Sequence, residues 1–166
     1  MNERRKTQLK LLTVITALLL VFVIILYNCI ILTAQTLYPK KYSDLIENVS
    51  TELEIEPVLL YAMIKTESGF DKNAVSSVGA MGLTQITPDT FHWLQTKTGH
   101  NYEDEALFTP EISVYYGVYF LDMLLYEFGD TETAFAAYHA GRGKVNEWLA
   151  DPRCSENGLT LDRIPY

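Results

Sequence analysis

Residues 57–69 read PVLLYAMIKTESG, an apolar run that begins with proline and contains a glutamate close to its end. Proline is favoured at the first position of a helix, where its missing N–H has no partner to lose. Met63 and Ile64 precede Glu67 by four and three positions, which is the spacing of a single helix face. The sequence therefore predicts that the Glu67 carboxyl projects from the helix face that otherwise packs into the core.

A carboxyl on such a face is poorly solvated. Desolvation disfavours its ionised form and raises its pKa toward the range in which a carboxylic acid donates a proton at neutral pH. Acid-catalysed cleavage of a glycosidic bond requires such a group. Glu67 is therefore the candidate general acid of this chain.

An uncharged stretch lies near the N-terminus. Residues 11–34 contain no charged side chain, and 24 residues at about 1.5 Å each exceed the ~30 Å hydrocarbon thickness of a bilayer. Four basic residues precede it, and the positive-inside tendency places the N-terminus in the cytoplasm. The sequence therefore predicts a protein of the cell membrane with four segments. These are a basic cytoplasmic N-terminus over 1–10, a single transmembrane helix over 11–34, a juxtamembrane linker over 35–41 and a catalytic domain over 42–166 on the extracytoplasmic face.

A cleaved signal peptide is the main alternative for this segment, but its apolar region is about 7–15 residues long and ends in small residues. The apolar run here is longer, and Leu32 interrupts the best cleavage site, which follows Ala34. Lipidation of Cys29 would need small residues before it, where the chain has Tyr27 and Asn28. An uncleaved anchor is the favoured prediction.

Length, charge and cysteine positions limit the number of domains, the class of ligand and the possible disulfides. A chain of 166 residues with 48% hydrophobic content holds one globular domain besides the N-terminal segment. The formal charge is −8, and because the first 35 residues carry +3, the rest carries −11. Such an acidic domain is a poor candidate for binding nucleic acid, since phosphate contacts need Lys and Arg. Cys29 and Cys154 fall in different segments, so no disulfide within the chain is expected.

Helical signals dominate residues 42–166, and strand alternation is not evident, so the domain is predicted to be mainly α. Residues 71–80 are typical of a loop. An amphipathic pattern predicts a helix over 45–53. Two further helices are predicted to start at Thr87-Pro88 and Thr109-Pro110 and to run to Gly99 and Gly129, respectively. A last helix is predicted to be capped by Thr131 and interrupted by Gly141 and Gly143.

Three separated blocks carry a family resemblance: ESGF at 67–70, GAMGLTQI at 79–86 and AYHAG at 137–141. In this order they resemble the soluble-lytic-transglycosylase family of peptidoglycan-cleaving enzymes, over roughly residues 53–166. The resemblance implies a lysozyme-like helical domain whose glutamate faces a groove for the glycan strand. No cofactor is expected, and the three histidines of the chain lack metal-ligand spacing.

The resemblance also implies the roles of individual residues. Glu67 would protonate the oxygen between N-acetylmuramic acid and N-acetylglucosamine, and then take the proton of the muramyl 6-hydroxyl as that oxygen closes on C1. The product would be a 1,6-anhydro sugar. Substrate-binding roles fall on Ser76, Met81, Gly82, Gln85 and Tyr138, and the hydroxyl of Tyr138 is expected to point at Glu67.

Two positions differ from the resembled family, and one nearby acid is ambiguous. His139 stands where an asparagine usually follows the tyrosine, and Ser113 stands where another asparagine is common; structural substitution is expected for the histidine. Asp71 is the nearest candidate for a second carboxylate, but the favoured prediction is a turn in which it bonds its own backbone. A true second carboxylate would favour simple hydrolysis.

The end of the chain, residues 164–166, resembles the start of the family's last block, without the final helix that follows there. Three explanations stay open: the groove closes differently, a partner supplies the missing wall, or the chain is a truncated form with reduced activity.

The sequence thus predicts a membrane-anchored lytic transglycosylase that acts on peptidoglycan glycan strands. One alternative is a hydrolase similar to goose-type lysozyme, which uses water instead of the sugar hydroxyl. The other is a non-catalytic peptidoglycan-binding scaffold with a protein partner in a cell-envelope assembly.

Overall fold

The computed structural model describes residues 3–37 and 41–165, and it divides the chain between Lys41 and Tyr42 into two compact units. The first unit contains one helix, α1 (Glu3–Leu37). Its segment Lys6–Ala34 has 29 residues, a mean hydropathy of 2.9 and no buried part. Length and apolar composition fit a membrane span, and a signal sequence near the N-terminus would meet the same criteria.

The N-terminal boundaries differ slightly from the predicted ones. The predicted span, 11–34, lies inside α1, but the helix continues through residues 35–37 of the predicted linker. Linker residues 38–40 lie outside the described residues, as do residues 1–2 and Tyr166, the end of the segment that resembles the family's last block.

The second unit is helical, as predicted. Over residues 41–165 the chain forms no β-strand, only isolated bridges from Met81 to Val75 and to Ile86. The elements of this unit are α2 (Ser43–Glu52), α3 (Pro57–Ser68), α4 (Pro88–Thr98), a 3-10 helix (Asp104–Phe108), α5 (Pro110–Phe128), α6 (Thr131–Ala140) and α7 (Arg142–Leu149).

Proline and glycine mark the ends of the three helices that surround the candidate site. A proline occupies the first turn of α3, α4 and α5. Each of these helices ends at a glycine in the left-handed region, where a side chain would be strained. The predicted limits at Pro57, Pro88, Gly99, Pro110 and Gly129 are therefore confirmed.

Of the three threonines that were predicted to cap helices, only Thr87 does so. The Thr87 hydroxyl caps α4 by accepting the Thr90 N–H at 3.3 Å. Thr109 makes no such bond, so its predicted capping role is wrong. The cap of α6 is Asp130 rather than Thr131, because its carboxylate accepts the Thr133 N–H at 2.8 Å. A carboxylate also suits the positive end of the helix dipole better than a hydroxyl does.

Gly141 alone separates α6 from α7, with a φ of 90°. Gly143 lies inside the first turn of α7, so the prediction that it breaks the helix is wrong. A single residue with positive φ is enough to redirect the chain between two helices.

Helix α5 organises the core, since α2, α4, α6 and the 3-10 helix all pack against it. Ile64 from α3 and Leu121 from α5 belong to one buried cluster, and Leu83 from the intervening loop joins them. Ala137 from α6 packs in a second cluster with Leu124 from α5. Packing on α5 therefore brings the ends of α3 and α6 to the same region of the domain.

Candidate active site

Glu67 is the next-to-last residue of α3, and only 16% of its side chain is exposed. It lines a cavity of about 210 Å³ and is the only carboxylate among the described residues that do so. The remaining lining residues are Ser76, Val78, Ala80, Gln85, Ile86, Thr87, Thr90, Phe120, Tyr138 and His139.

Burial raises the pKa of the Glu67 carboxyl, because the cavity wall removes water that would stabilise its charge. His139 opposes this effect: its Nδ1 lies 3.6 Å from Glu67 Oε1, and a positive charge there favours the ionised carboxyl. Burial is the larger of the two effects. The site thus holds a carboxylic acid that keeps its proton to a higher pH than an exposed glutamate does.

The end of α3 is hydrogen-bonded to the loop at residues 81–87. The Ser68 hydroxyl lies 2.8 Å from the Leu83 carbonyl, to which it donates, and 3.2 Å from the Ile64 carbonyl. Gly69 then turns the chain away with a φ of 60°. The last turn of α3, which carries Glu67, is therefore fixed against the loop at residues 81–87.

Gln85 has a positive φ of 51° and uses its side-chain amide to brace the loop. Its Nε2 donates to the Ala74 carbonyl at 3.1 Å and to the Gly82 carbonyl at 3.0 Å. An amide nitrogen carries only two hydrogens, so the acceptor Oε1 is the group that Gln85 presents to a ligand. Gln85 lines the cavity, as expected of a substrate-binding residue.

Ser76 begins a tight turn at the rim of the cavity. Its hydroxyl accepts the Ala80 N–H at 3.0 Å, and its own N–H donates to the Ala80 carbonyl at 2.9 Å. The hydroxyl proton is not used in these bonds, which makes Ser76 a donor facing the cavity. Ser76 and Gln85 therefore offer a donor and an acceptor in the same cavity as Glu67.

Tyr138 also lines the cavity, but its hydroxyl donates to the Thr84 carbonyl at 2.8 Å rather than to Glu67. Burial, reinforced by the nearby Glu67 charge, raises the pKa of Tyr138, so the hydroxyl keeps its proton. The predicted orientation of the hydroxyl toward Glu67 stays a prediction, and its hydrogen bond to the loop adds a structural role. The oxygen retains a free lone pair, which can accept a hydrogen bond from a ligand in the cavity.

Thr84 is held from its other side by α5. Its hydroxyl donates to the Ser113 carbonyl at 2.7 Å, and its N–H donates to Ser113 Oγ at 3.2 Å. Both residues are fully buried. Ser113 therefore keeps a structural role at the position where the resembled family commonly has asparagine.

Two glycines permit this close packing. A Cβ at Gly117 would overlap the Thr84 side chain, and a Cβ at Gly82 would overlap the Leu107 carbonyl oxygen. Gly82 and Met81 do not line the cavity. Their predicted contact with substrate stays a prediction, while Gly82 has a clear packing requirement.

Asp71 does not join the site. It is exposed, and its Oδ1 accepts the Asn73 N–H at 2.9 Å, which confirms the turn predicted for it.

Sequence reasoning missed several residues at the site. The sequence analysis assigned no role at the site to Thr84 or Phe120, yet Thr84 accepts the Tyr138 hydrogen bond and Phe120 lines the cavity. One signal for Thr84 was present: Gly117 interrupts an otherwise apolar helix, which indicates that another segment approaches closely.

The family model of the transglycosylase SLT domain matches residues 44–157, which include every residue of the cavity lining. The chain belongs to the transglycosylase SLT domain family. Its SLT domain is similar to the soluble lytic murein transglycosylase of Escherichia coli K12, with 32% identity over 133 residues, 78% of this chain and 21% of that protein.

Two further similarities concern structure and a membrane-bound relative. The crystal structure of the 70 kDa soluble lytic transglycosylase from Escherichia coli superimposes with a TM-score of 0.67 at 28% identity, covering 72% of this chain and 20% of that chain. Membrane-bound lytic murein transglycosylase C of Mannheimia succiniciproducens is 30% identical over 118 residues, 64% of this chain and 33% of that protein. The chain with its SLT domain spans about a fifth of the length of the soluble relatives.

Proposed function

We propose that residues 42–166 form a lytic transglycosylase that cleaves the β-1,4 bond between N-acetylmuramic acid and N-acetylglucosamine in peptidoglycan glycan strands. The observation that carries the proposal is the largely buried Glu67, the lone carboxylate of the cavity lining in the described residues, in an SLT domain. Its raised pKa suits a group that must donate a proton. Relatives named lytic murein transglycosylases support the same activity.

The reaction needs one carboxyl group in two successive roles. Glu67 donates its proton to the bridging oxygen, and the bond from that oxygen to the muramyl C1 breaks. The muramyl 6-hydroxyl then forms a bond to C1 and gives its proton to the Glu67 carboxylate, which restores the acid. The nucleophile is tethered to the substrate, and this proximity replaces the second carboxylate that would otherwise position a water.

The polar lining would orient the sugar. In this proposal the Ser76 hydroxyl donates to the substrate, Gln85 Oε1 accepts from it, and the Tyr138 oxygen accepts from a sugar hydroxyl near Glu67. None of the three carries a negative charge that could activate water. The described lining therefore offers no second carboxylate that could activate water.

We also propose that α1 anchors the protein as a single membrane span, with the N-terminus in the cytoplasm and the SLT domain on the extracytoplasmic face. Basic residues before the apolar segment and the membrane-bound relative support this placement. A protein partner from a cell-envelope assembly stays a prediction.

Digestion of peptidoglycan in oxygen-18 water, followed by mass spectrometry of the released muropeptides, tests the reaction. The expected products end in 1,6-anhydro-muramic acid and carry no heavy oxygen. Glu67→Gln keeps the shape of the side chain but has no transferable proton, so its cleavage rate should fall by about 1,000-fold or more. Glu111→Gln, an exposed substitution outside the cavity, is the matched control and should cleave normally.

Each other outcome rejects part of the proposal. Free reducing ends with one heavy oxygen would identify a hydrolase similar to goose-type lysozyme. Glycan binding without any product would identify a non-catalytic scaffold. Activity of Glu67→Gln within a few-fold of the parent would remove Glu67 from its role.

A further inference from the structure

One face of α4 leads away from the cavity that contains Glu67. Thr90 lines the cavity, and Trp93 and Lys97 follow it three and seven positions later, which is the spacing of a single helix face. At about 1.5 Å per residue, Lys97 lies about 10 Å beyond Thr90 along the helix. The face therefore places a cation outside the cavity but within reach of a ligand that extends from it.

Aromatic rings connect this face of α4 to the cavity. Phe120 lines the cavity, and its ring centroid lies 5.4 Å from that of Tyr138 and 6.4 Å from that of Trp93. The Trp93 ring stands nearly perpendicular to that of Phe120, at 81°, and Trp93 is partly exposed. The surface therefore runs from the cavity over Phe120 to Trp93.

Lys97 is exposed, and its ammonium contacts an aromatic ring rather than an acid. Its Nζ lies over the Trp93 ring, 5.5 Å from the centroid, and none of the described carboxylates forms an ion pair with it. A contact of this kind holds the ammonium in place without neutralising its charge. The last turn of a helix favours a lysine, but the helix dipole does not account for its position over Trp93.

The charge of Lys97 differs in sign from that of most of the surrounding domain. Residues 42–166 contain 7 Lys and Arg against 20 Asp and Glu. Three of these cations already pair with carboxylates, in the pairs Arg142–Glu127, Lys144–Glu147 and Arg153–Asp151. An anionic ligand is therefore repelled by most of the domain and attracted where Lys97 lies beside the cavity.

The substrate of the proposed reaction carries such anionic groups. The peptide stems of peptidoglycan bear carboxylates, and each stem is attached to a muramyl unit of the glycan strand. About three extended residues span about 10 Å. A stem on a muramyl unit beside Glu67 therefore reaches Lys97 while the sugar stays in the cavity.

We propose that Lys97 binds a carboxylate of the peptide stem and thereby favours glycan strands whose stems are charged. The inference rests on the proposed function and adds a feature of the substrate that the cleavage reaction itself does not require. Trp93 is a positioning residue, since it holds the Lys97 ammonium beside Phe120 and the cavity. An exposed ion pair is weak, so this subsite sets a preference among strands and does not decide whether they are cleaved.

The test compares two preparations of the same soluble, uncrosslinked glycan strands. One preparation keeps its stem carboxylates, and in the other they are converted to amides, which keeps the shape of the stem but removes its charge. Initial rates are measured on the full chain in detergent. Lys97→Gln keeps a good helix former at this exposed position and removes the positive charge.

Lys97→Gln should raise the KM for charged strands about two- to fivefold, the range of an exposed ion pair, and leave kcat unchanged. Its KM for amidated strands should equal that of the parent. The effect on charged strands should shrink at about 0.5 M salt, because salt screens exposed charges. Lys97→Arg keeps the charge and should retain the preference of the parent. Lys144→Gln, an exposed substitution on α7 outside the cavity lining, is the matched control and should retain it as well.

Trp93 is tested by the same ratio of KM values for the two strands. Trp93→Leu removes the ring beneath Lys97 and should lose part of the preference for charged strands, and Trp93→Phe should restore it. A role of Trp93 in packing alone would change the rates on both strands equally. If Lys97→Gln affects charged and amidated strands equally, or affects neither, the inference is overturned.

A binding measurement separates this inference from the proposed function. The affinity of the Glu67→Gln protein for both strands is measured by calorimetry, with and without Lys97→Gln. If Lys97→Gln weakens the binding of charged strands alone while the parent releases no product, the subsite stands and the proposed function fails. If the parent releases product while Lys97→Gln changes the binding of both strands equally, or of neither, the proposed function stands and the inference fails.

Discussion

Glu67 experiences two opposing influences on its proton. The cavity wall raises the pKa of its carboxyl by desolvation, and His139 at 3.6 Å lowers it with positive charge. A carboxylate that ionises in a poorly solvated site destabilises the folded state, because the unfolded chain exposes the same group to water. The property that suits Glu67 to acid catalysis therefore has a cost in stability at neutral pH.

Glu67→Gln should be more stable than the parent at pH 7, by about 0.5–1 kcal/mol. The folded-state pKa of Glu67 is raised, so its contribution is fully present below the unfolded pKa of about 4.3 and is lost as the pH rises through the folded value. Glutamine does not titrate, so the difference should vanish at pH 4.

Urea unfolding followed by tryptophan fluorescence checks this, since Trp93 and Trp148 both lie in the second unit. Glu111→Gln, which is exposed, should show no such pH-dependent gain. A gap between Glu67→Gln and the parent that is equal at pH 4 and pH 7 would contradict the explanation.

Tyr138→Phe removes the hydrogen bond from the tyrosine hydroxyl to the Thr84 carbonyl. We expect a loss of about 1 kcal/mol in the free energy of unfolding, because the buried carbonyl loses its partner. Cleavage should slow by about 10- to 100-fold as the sugar and the loop lose their alignment with Glu67. Unfolding curves and initial rates measure the two effects, with the highly exposed Tyr126→Phe as a control that changes neither.

At the scale of elements, the site is a junction of three segments. The end of α3 bonds to the loop through Ser68, α5 bonds to the loop through Ser113, and α6 bonds to it through Tyr138. Ser113 and Gly117 stand one helical turn apart on α5, so one bonds Thr84 while the other leaves room for it. The loop at residues 81–87 thereby holds the end of α3, which carries Glu67, in a fixed position relative to α5 and α6.

Gly117→Ala tests this junction. The added Cβ would overlap the buried Thr84 side chain, so the free energy of unfolding should fall by about 1–3 kcal/mol. Gly143→Ala, in α7, is the matched control because nothing lies within 4 Å of its added Cβ. Alanine should there be neutral or stabilise the helix by up to about 1 kcal/mol. Equal effects of the two substitutions in urea unfolding would contradict the close approach of Thr84.

At the scale of the whole molecule, the chain combines an apolar N-terminal helix with an acidic helical unit. The expected anchor would hold the SLT domain at the membrane surface, and the net charge of residues 42–166, with 7 Lys and Arg against 20 Asp and Glu, is −13 and would discourage binding to anionic lipid headgroups. The anchor, rather than surface charge, is therefore the expected source of membrane attachment.

The full chain should remain in the membrane fraction after extraction at high salt and at alkaline pH. A C-terminal epitope should be digested by protease added from the extracytoplasmic side, because positive residues retain the N-terminus inside. A double substitution, Leu20→Arg with Ile24→Arg, places two charges in the apolar segment and should abolish integration, at about 2.5–3.5 kcal/mol for each charge. A shorter, freely soluble form of the unsubstituted protein would instead establish a cleaved signal peptide.

Local signals predicted the helix limits well and the caps less well. Proline and glycine restrict the backbone by their own chemistry, so Pro57, Pro88 and Gly129 mark limits whatever surrounds them. Capping depends on which side chain reaches the first free N–H groups, and Asp130 reaches them where Thr131 was expected. The difference is one residue in sequence, but it depends on backbone geometry that the sequence does not display.

The sequence by itself determined the helical class of the domain, the long apolar segment and the placement of Glu67 near a helix end, because each follows from the order of neighbouring residues. Only the tertiary structure decided what surrounds Glu67. His139, 72 positions later, comes within 3.6 Å of it, and Tyr138, which lines the same cavity, bonds the Thr84 carbonyl. These contacts join segments far apart in the chain, and they exist because α3, α6 and the intervening loop share one core with α5.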